Sequence, residues 1–347
     1  MKPLKNLRNR RKKAALIESD GPARITTETI AEHREEVIGS ARKYIYPLQH
    51  SKHRILLIST SVLIAGVIGF FAYCTISLYR LRGDSTFLYR VTQVLPFPVA
   101  KAGSQYVAYE NYLFELRHYV HYYESQLKLD FNSVEGKAQL AAFQKQALDK
   151  VVSDAYIKKL ADKYKITVTD KEVNDQIAIV REQNRLGSSD QVFEDVLRDY
   201  WGWNVDDFRR SLRSQLLAQK VVATLDTGTK QRANDALQEL NAGGDFAAVA
   251  KKYSDDSATK DNGGDFGTVD KTNRDLTAQT TETLFALKPG DHSGIINIGY
   301  SLEIVKNIEQ VSPTKVHGAH ILFNFKDVLV YLNDIKQQEK TQLFIKL

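Results

Sequence analysis

A histidine lies in the middle of a strand-like stretch late in the chain, KVHGAHILF, which spans residues 315–323. Histidine changes its charge near neutral pH, so His320 could move a proton, orient a polar group or bind a metal. A histidine that only satisfies its own hydrogen bonds within a sheet is the plainer interpretation. The stretch also raises a question of topology, because little sequence follows that could supply a neighbouring strand.

Two other groups of polar residues match metal sites only superficially. His118 and His121 are three positions apart on a predicted helix, but no third ligand is evident. Asp255, Asp256 and Asp261 lack the D-x-D-x-D-G spacing and the final glutamate of a calcium-binding loop. We therefore predict that the protein binds no metal and needs no cofactor.

A glycine turn, GGDFG at 263–267, offers a third candidate site. It lacks the lysine and Ser/Thr that complete a phosphate-binding loop. Its glycines are therefore expected to provide backbone conformations that other residues avoid.

The positive charge of the chain is concentrated in its first 54 residues. This arm holds 13 of the 48 Lys/Arg residues but only 6 of the 42 Asp/Glu residues, so it accounts for the whole formal net charge of +6. A nucleic-acid-binding protein is expected to carry its basic residues on a folded domain, often among aromatic residues. The nearly neutral remainder therefore argues against nucleic acid as a partner.

An apolar run of 25 residues without a charge lies between Arg54 and Arg80. This length suffices to cross roughly 30 Å of hydrocarbon. The run is too long for a signal peptide and lacks the polar stripe of a core helix. Basic residues cluster before it, which predicts a single-pass cell-membrane protein with a cytoplasmic N terminus and residues 83–347 outside the cytoplasm. Cys74, the only cysteine, lies in this run and is interpreted as a small residue that faces lipid.

Beyond the membrane, the pattern of apolar residues predicts a helical region and then a mixed region. Residues with helical spacing and polar caps predict helices over 108–129, 139–165, 169–187, 190–200 and 206–225. Thr227-Gly228-Thr229 is expected to end this region. From Lys230, short helices alternate with glycine turns and with strands over 293–298, 301–309 and 315–323. A last helix over 326–346 is expected to pack on the helical region, because its apolar side needs a partner.

Three motifs of the mixed region occur in a consistent order. They are FAAVAKKYSDDSATKDNGGDFGTV at 246–269, LFALKPGDHSGII at 284–296 and AHILF at 319–323. The region resembles the parvulin (PpiC-type) family of peptidyl-prolyl isomerases. More loosely, residues 95–225 resemble the helical chaperone domain of SurA-, PrsA- and PpiD-type foldases, chiefly in KITVTDKEVNDQI and YWGWNVDDFRRSLRSQLLAQKVV.

The resemblance implies an α+β protein. A single transmembrane helix would be followed by a mostly α-helical SurA-like domain and by a parvulin-like domain, whose four-stranded antiparallel sheet is covered by helices. The motif order departs from the family's pattern, because AHILF follows the strand that normally closes the domain instead of opening it. These two strands are central neighbours in the family's sheet, and about six residues can join them as a hairpin. We therefore predict a circularly permuted parvulin-like domain; the alternative is a second, incomplete repeat.

The resemblance also implies a set of polar residues that act on an X-Pro bond. Rotation about this bond crosses a barrier of about 18–20 kcal/mol. An enzyme can lower it without a nucleophile or metal, by holding the ring in an apolar cup and favouring the twisted amide. The family's first histidine falls on His320 and its Cys/Asp position on Asp256. Its second histidine aligns with Glu303 or, in another register, with Ser301; we prefer Glu303, which could accept a hydrogen bond from His320.

The apolar cup of the family is formed by a methionine and a phenylalanine. Counted back from Phe285, these positions fall on Leu276 and Thr280, so we assign Leu276, Thr280 and Phe285 to substrate binding. Leucine is a fair substitute for methionine. Threonine makes the cup smaller and adds a hydroxyl, so the cup is expected to be altered.

These inferences divide the chain into five segments. They are a cytoplasmic basic arm with a short amphipathic helix over 1–53, a transmembrane helix over 54–80, a SurA-like helical chaperone domain over 83–228, a parvulin-like domain over 229–325, and a C-terminal helix over 326–347.

The predicted function is that of a membrane-anchored extracytoplasmic foldase, which binds unfolded, newly exported polypeptides and isomerises their X-Pro bonds. Client polypeptides and the lipid bilayer are therefore the predicted partners. A non-catalytic chaperone with a degenerate parvulin domain is the alternative, because one histidine and the phenylalanine of the cup are replaced. A membrane scaffold that only reuses the fold is a third hypothesis.

Overall fold

The computed structural model describes residues 26–45, 48–183, 186 and 189–347. The chain forms two compact units, Met1–Tyr73 and Cys74–Leu347. The basic arm before Thr26 and the predicted end of a helix at Gly187 lie outside the described residues.

The first unit contains helix α1, Thr27–Ile45, and most of helix α2, Leu48–Thr75. The amphipathic helix predicted in the arm is confirmed as a helix, and its apolar residues Ile30 and Val37 are exposed. In α2 and the turn that follows it, Arg54–Arg80 form a stretch of 27 residues, within which an 18-residue window has a mean hydropathy of 2.4. By its length and composition this helix could cross a membrane.

The end of this apolar run belongs to the second unit and is packed there. α2 continues as a π-helical turn, Ile76–Arg80, in which Leu78 is fully buried. The Tyr109 hydroxyl donates a hydrogen bond of 2.6 Å to the carbonyl of Leu78. Cys74 is also fully buried, so the interpretation that it faces lipid is wrong. The reason is that the run enters the folded core before it ends.

The helical region follows the predicted order. Its helices are α3 Thr86–Val94, α4 Tyr109–Ser125, α5 Val134–Tyr164, α6 Asp170–Gln183, α7 Asp190–Val196 and α8 Val205–Leu225. A π-helical turn, Leu197–Trp201, extends α7, and strands β1, Pro98–Ala102, and β2, Gln105–Ala108, form a hairpin before α4. α5 begins earlier than predicted, because the Ser133 side chain caps it by accepting from the N–H of Gly136.

The core of this region lies mainly between α4 and α5. Large side chains that are fully buried there include Tyr109, Tyr112, Leu113, Leu116 and Tyr156. The aromatic face predicted on α4 therefore serves chiefly as core.

The last part of the chain returns to the helical region. Helix α12, Val328–Gln338, packs against α5 and α8, and its Leu332 is fully buried in the same core. The prediction of one helix up to residue 346 is wrong, because Thr341–Leu343 form strand β7. β7 pairs antiparallel with β1 and completes a sheet of order β2-β1-β7. The edge of β1 thereby gains backbone hydrogen bonds that a longer helix could not supply.

The mixed region contains the second sheet. Its helices are α9 Thr227–Asn241, α10 Phe246–Tyr253 and α11 Ala278–Ala286, and its strands are β3 Asp265–Asp270, β4 Ile296–Asn297, β5 Ser301–Ser312 and β6 Lys315–Asn324. The strands pair antiparallel in the order β3-β6-β5-β4. β6 is the last of them in sequence and lies inside the sheet, as the permuted arrangement requires. The strand predicted over 293–298 is reduced to the two residues of β4.

Alternate residues of β5 and β6 face two separate apolar cores. On one face, Ile304 and Ile321 pack against α9 and α10. On the other face, Val305 and Val316 pack with Leu284 of α11. Both faces of the sheet are therefore covered, so a polar side chain on it must find its hydrogen-bond partners within the fold.

The helical and mixed regions are joined at Asp226. α8 ends at Leu225 and α9 begins at Thr227, so the expected joint at residues 227–229 is wrong: these residues already belong to a helix. The buried carboxylate of Asp226 accepts hydrogen bonds from the N–H groups of Thr229, at 3.1 Å, and Lys326, at 2.8 Å. The chain passes from the helical region to the mixed region at Asp226 and returns after β6 at Lys326. The side chain of Asp226 therefore connects the two places where the chain crosses between the regions.

Candidate active site

Backbone pairing fixes the position of His320 on β6. Val305 of β5 lies opposite His320, and Glu303 lies opposite Leu322. Glu303 and His320 are therefore diagonal neighbours on one face of the sheet. On the other edge of β6, the N–H of His320 donates to the carbonyl of Gly264 at 2.9 Å, just before β3 begins.

The glycine turn before β3 permits this close approach. Gly264 has a φ of +80°, and a Cβ atom added to it would lie 2.1 Å from the carbonyl oxygen of His320. A Cβ atom on Gly318 would lie 2.7 Å from the ring of Phe266, which itself lies edge-on to the imidazole of His320. The prediction that the glycines of this turn serve backbone geometry is confirmed.

The loop after α10 runs along β6 where β3 no longer pairs with it. There the N–H of Asp255 donates to the carbonyl of Leu322 at 2.7 Å, and Arg232 binds the Asp255 carboxylate through two nitrogens. Asp255 therefore anchors the loop to β6, and the next residue, Asp256, lies beside His320.

His320 lies between two carboxylates. Its Nδ1 is 2.7 Å from Oε1 of Glu303, and its Nε2 is 2.9 Å from Oδ2 of Asp256. The structure thus brings together the three residues that sequence reasoning assigned to catalysis. Ser301, the alternative to Glu303, instead bonds the side chain of Asn324 at 2.8 Å.

The second oxygen of Glu303 is held by Thr280. The Thr280 hydroxyl donates to Oε2 of Glu303 at 2.5 Å, and only 1% of Thr280 is exposed. The assignment of Thr280 to an open substrate cup therefore does not agree with this structure, because the side chain points to the sheet and supports Glu303.

The protonation of the site follows from these contacts. An imidazole donates from both nitrogens only when it is protonated. Burial by itself lowers the pKa of His320, but hydrogen bonds to Glu303 and Asp256 and their negative charges outweigh burial and raise this pKa. Burial also opposes ionisation of Asp256, yet hydrogen bonds from Thr259 and His320 lower its pKa to about 2. The geometry therefore favours an imidazolium bound on both sides by carboxylates.

The three side chains of the site differ in their exposure to solvent. The side chain of Glu303 is 3% exposed, that of His320 12% and that of Asp256 22%. Asp256 is therefore the member of the three that a ligand can reach most readily, whereas Glu303 is almost inaccessible.

Leu276 and Phe285, the two other residues assigned to substrate binding, line a cavity of about 480 Å³ beside α11. Thr280 is not among its lining residues. The three residues predicted to form one cup therefore separate into two that line the cavity and one that supports Glu303.

Two residues of the site were missed by sequence reasoning. The Thr259 hydroxyl donates to Oδ2 of Asp256 at 2.5 Å, and the Phe266 ring is 5.3 Å from that of His320. A threonine three positions after an aspartate is a recognisable hydrogen-bonding pattern in turns, so Thr259 could have been found. Phe266 lies on a strand that is distant in sequence from His320, and no local pattern relates the two.

His118 and His317 lie outside the site formed by His320, Asp256 and Glu303. His118 stacks on Trp203, with ring centres 4.3 Å apart, and burial lowers its pKa to about 4. His317 lies on β6 but binds the carboxylate of Asp265 at 2.9 Å. Within the described part of the chain, no group of three or more His, Cys, Asp or Glu residues could hold a metal ion.

Comparison with protein families agrees with this architecture. Residues 49–222, half of the chain, match the model of the SurA-like N-terminal domain. The chain belongs to this family. Residues 217–309 match the PPIC-type PPIase domain, also described as a rotamase domain. The SurA-like domain is thus followed by a parvulin-type domain, and the resemblance inferred from the sequence motifs is confirmed.

Similar proteins bear the name foldase protein PrsA. Over 192 residues, 50% of this chain and 59% of the relative, the chain is 30% identical to that of Caldanaerobacter subterraneus subsp. tengcongensis. Over 154 residues, 44% of this chain and 39% of the relative, it is 31% identical to that of Clostridium kluyveri. The chain therefore matches less than two thirds of the length of either relative.

A crystal structure of peptidylprolyl isomerase PrsA from Bacillus anthracis is 20% identical, and the match covers 55% of this chain and 86% of that one. Its TM-score of 0.17 is too low to support an argument about shape or site.

The PPIC-type match ends before β6 begins. It stops at residue 309, whereas His320 lies on Lys315–Asn324. β6 nevertheless occupies the interior of the sheet, between β3 and β5. The PPIC-type domain of this chain is therefore completed by a strand outside the matched segment.

Proposed function

We propose that this protein is a membrane-anchored foldase, which binds unfolded, newly exported polypeptides and catalyses the cis-trans isomerisation of their X-Pro bonds. The observation that supports the proposal most directly is the position of His320, bonded to Asp256 on one side and to Glu303 on the other. The PPIC-type match and the foldase names of the relatives support the same reaction class.

The proposed mechanism is electrostatic. Resonance in a planar amide places negative charge on the carbonyl oxygen, and this charge decreases when the bond twists. The Asp256 carboxylate, with its pKa of about 2, is charged at neutral pH. An anion beside the client's carbonyl oxygen destabilises the planar amide more than the twisted one, which lowers the barrier. No bond to the protein forms or breaks.

In this mechanism Asp256 is the residue that touches the client. His320 and Glu303 are positioning residues: the imidazolium holds Asp256 in place, and Glu303, itself held by Thr280, keeps the imidazole charged and oriented. The cavity lined by Leu276 and Phe285 is proposed to take an apolar part of the client, including the proline ring.

A proline-peptide isomerisation assay on the full chain in detergent micelles tests this proposal. Asp256→Ala and His320→Ala should each lower kcat/KM at least about tenfold, because each removes a charge from the site. The matched control is His317→Ala, which removes a histidine from the same strand but from a separate carboxylate pair, and should stay within about twofold of wild type.

Two results would contradict the isomerase. Wild-type rates equal to those of buffer would leave the non-catalytic chaperone, and equal losses in all three variants would indicate damage to the strand alone. Suppression of the aggregation of an unfolded client then separates the two remaining alternatives, because a chaperone suppresses it and a membrane scaffold does not.

The proposed location is the cell membrane, with the N terminus in the cytoplasm and both domains outside it. The apolar helix and the basic residues that precede it support this orientation. Protease added outside intact spheroplasts should digest a C-terminal epitope tag and spare an N-terminal one. Protection of the C-terminal tag would refute the orientation.

A further inference from the structure

Helix α3 packs directly beside the end of the apolar run. The N–H of Gly83 donates to the carbonyl of Ser77 at 2.9 Å, so the chain turns back immediately after the π-helical turn. Leu88 of α3 fills the space beside Gly83, where an added Cβ atom would lie 2.7 Å from the leucine side chain. Leu88 and Leu78 are buried in the same core. The end of the run and α3 therefore form one packed part of the second unit.

The outer face of α3 exposes apolar side chains. Phe87, Arg90 and Val94 are three and four positions apart, so they share one side of the helix, opposite its buried side. Phe87 is 52% exposed and Val94 is 80% exposed. Leu81, in the turn before α3, is 69% exposed. Single apolar residues are common on protein surfaces, but a group of them next to the end of an apolar run indicates a surface that meets lipid.

The charges of the same segment suit an anionic surface. Arg80, Arg82 and Arg90 are exposed, and Asp84 is the only acidic residue between positions 80 and 94. Within the part of the chain that the structure describes, none of these three arginines forms an ion pair. A guanidinium binds a phosphate through two N–H groups, while its apolar stem lies along apolar neighbours. Phospholipids offer both acyl chains and phosphates, so they match both kinds of exposed side chain.

The position of α3 allows it to lie at the depth of lipid headgroups. Five residues, 81–85, separate the end of the apolar run from the start of α3. The headgroup layer on each side of a bilayer is about 5–8 Å thick. Arg117 of α4 fixes the rotation of α3: it donates to the carbonyl of Asp84 at 2.7 Å and lies over the ring of Tyr89. The outer face of α3 is therefore held in one orientation by the fold itself.

We propose that α3 and the turn before it form a membrane-contact surface, in which Leu81, Phe87 and Val94 enter the interfacial layer of the bilayer and the three arginines bind phosphates of anionic phospholipids. The surface rests on the proposed function in one respect, namely that Arg54–Arg80 cross a membrane. It goes further, because it holds the second unit against the bilayer instead of leaving this unit on a free tether. It also gives a role to the arginines after the run, which the positive-inside pattern does not explain.

A fluorescent probe at position 94 tests the contact with lipid. Val94→Cys is labelled with bimane in a Cys74→Ala background, and the full chain is reconstituted into vesicles of phosphatidylcholine and phosphatidylglycerol. Part of the lipid is brominated near the headgroup end of the acyl chains. Bromine quenches only a nearby probe, so the fluorescence should fall about twofold or more when the helix lies in the interfacial layer. Leu81→Cys, labelled in the same way, repeats the test at a second exposed position.

The matched control is Val134→Cys at the start of α5. This valine is also 80% exposed. It follows α4, which starts at the hydrogen bond between Tyr109 and Leu78 and whose 17 residues are about 25 Å long. Val134 therefore lies beyond the far end of α4, and its probe should show no quenching.

A second measurement tests the arginines. Quenching at position 94 should be weaker in vesicles without phosphatidylglycerol, and Arg90→Gln should remove about half of that difference or more. The matched control is Arg198→Gln, which changes another exposed arginine that pairs with Asp195 and should leave the quenching unchanged. Arg90 and Val94 are exposed, so their variants should unfold at the temperature of wild type.

The outcomes separate this surface from the proposed membrane anchor. Extraction of the full chain from vesicles by alkaline carbonate would refute the anchor and, with it, the surface. Stable insertion without quenching at positions 81 and 94 would overturn the surface and leave the anchor in place. Equal quenching with and without phosphatidylglycerol would overturn the role of the arginines. A probe signal that changes with protein density instead of with brominated lipid would indicate a second copy on this face, and would also overturn the surface.

Discussion

The imidazole of His320 is sensitive to pH because both of its nitrogens face carboxylate oxygens. Only the protonated ring donates on both sides, so the fold favours the charged form although the ring is largely buried. A pKa raised on folding contributes stability that is fully present below the unfolded value of about 6.5. That contribution is lost as the pH rises through the pKa of the folded state.

The first prediction concerns this pH dependence. Replacing His320 with Gln should reduce the free energy of unfolding more at about pH 6 than at about pH 9, because the stabilisation from the raised pKa is complete below about 6.5 and decreases above it. Urea unfolding of both proteins at the two pH values measures the difference, and NMR titration of His320 in Glu303→Gln should show a lower pKa than in wild type. An equal difference at both pH values would contradict the imidazolium assignment.

The departures of this site from the parvulin pattern are physically related. Glu303 is the residue that we predict at the position of the family's second histidine, and a carboxylate that is 3% exposed needs donors for both oxygens. His320 supplies one and Thr280 supplies the other, which a phenylalanine at position 280 could not do. Sequence reasoning predicted the contact of Glu303 with His320. It treated Thr280 only as a residue that makes the substrate cup smaller and more polar. The orientation of Thr280 depends on how α11 packs on the sheet, which no local pattern specifies.

At the scale of elements, β6 was predictable because its strand pattern and its histidine motif agree. The short connection after β5 permits a hairpin, and the two strands pair from Ser301↔Asn324 to Ser312↔Lys315. β7 was not predictable in the same way. Its three residues carry no strand pattern of their own, and their partner β1 lies at the other end of the helical region. The prediction therefore continued α12 to residue 346, beyond its observed end at Gln338.

The second prediction concerns the turn that joins β3 to His320. Gly264→Ala should destabilise the fold by more than about 3 kcal/mol, because it adds a clash with the His320 carbonyl to the strain of a positive φ. Gly243→Ala is the matched control: its φ is +89°, but nothing lies within 4 Å of the added Cβ, so only about 1–2 kcal/mol is expected. Chemical unfolding measures both, and equal losses would show that the close approach is unimportant.

At the scale of the whole molecule, the chain enters the mixed region after Asp226 and leaves it at Lys326, and these two residues are hydrogen-bonded to each other. Asp226 binds the start of α9 and the backbone of Lys326 with the same buried carboxylate. The hydroxyl of Thr229 adds a further donor to Asp226 at 2.9 Å. The carboxylate of Asp226 therefore holds the two crossings together.

The third prediction concerns this joint. Asp226→Ala leaves the buried N–H group of Thr229 and the backbone N–H group of Lys326 without their acceptor, so it should lower the free energy of unfolding by about 2–5 kcal/mol and make the joint sensitive to protease. The control Asp245→Ala removes a helix cap that accepts one hydrogen bond, and should cost about 1 kcal/mol without new cleavage near residue 226. Resistance of the joint in Asp226→Ala would show that it is held by other contacts.

The pairing of β7 with β1 constrains the order in which the protein can mature. A ribosome produces β1 long before β7. In the same way, the hydroxyl of Tyr156 on α5 donates a hydrogen bond to the carbonyl of Glu339, which lies 183 positions later in the chain. The N-terminal half cannot close its small sheet until the intervening region has been synthesised, so simple folding from the N terminus onward is not available to it. During synthesis, a protein proposed to assist other chains would thus itself pass through a prolonged unfinished state with an unpaired strand edge.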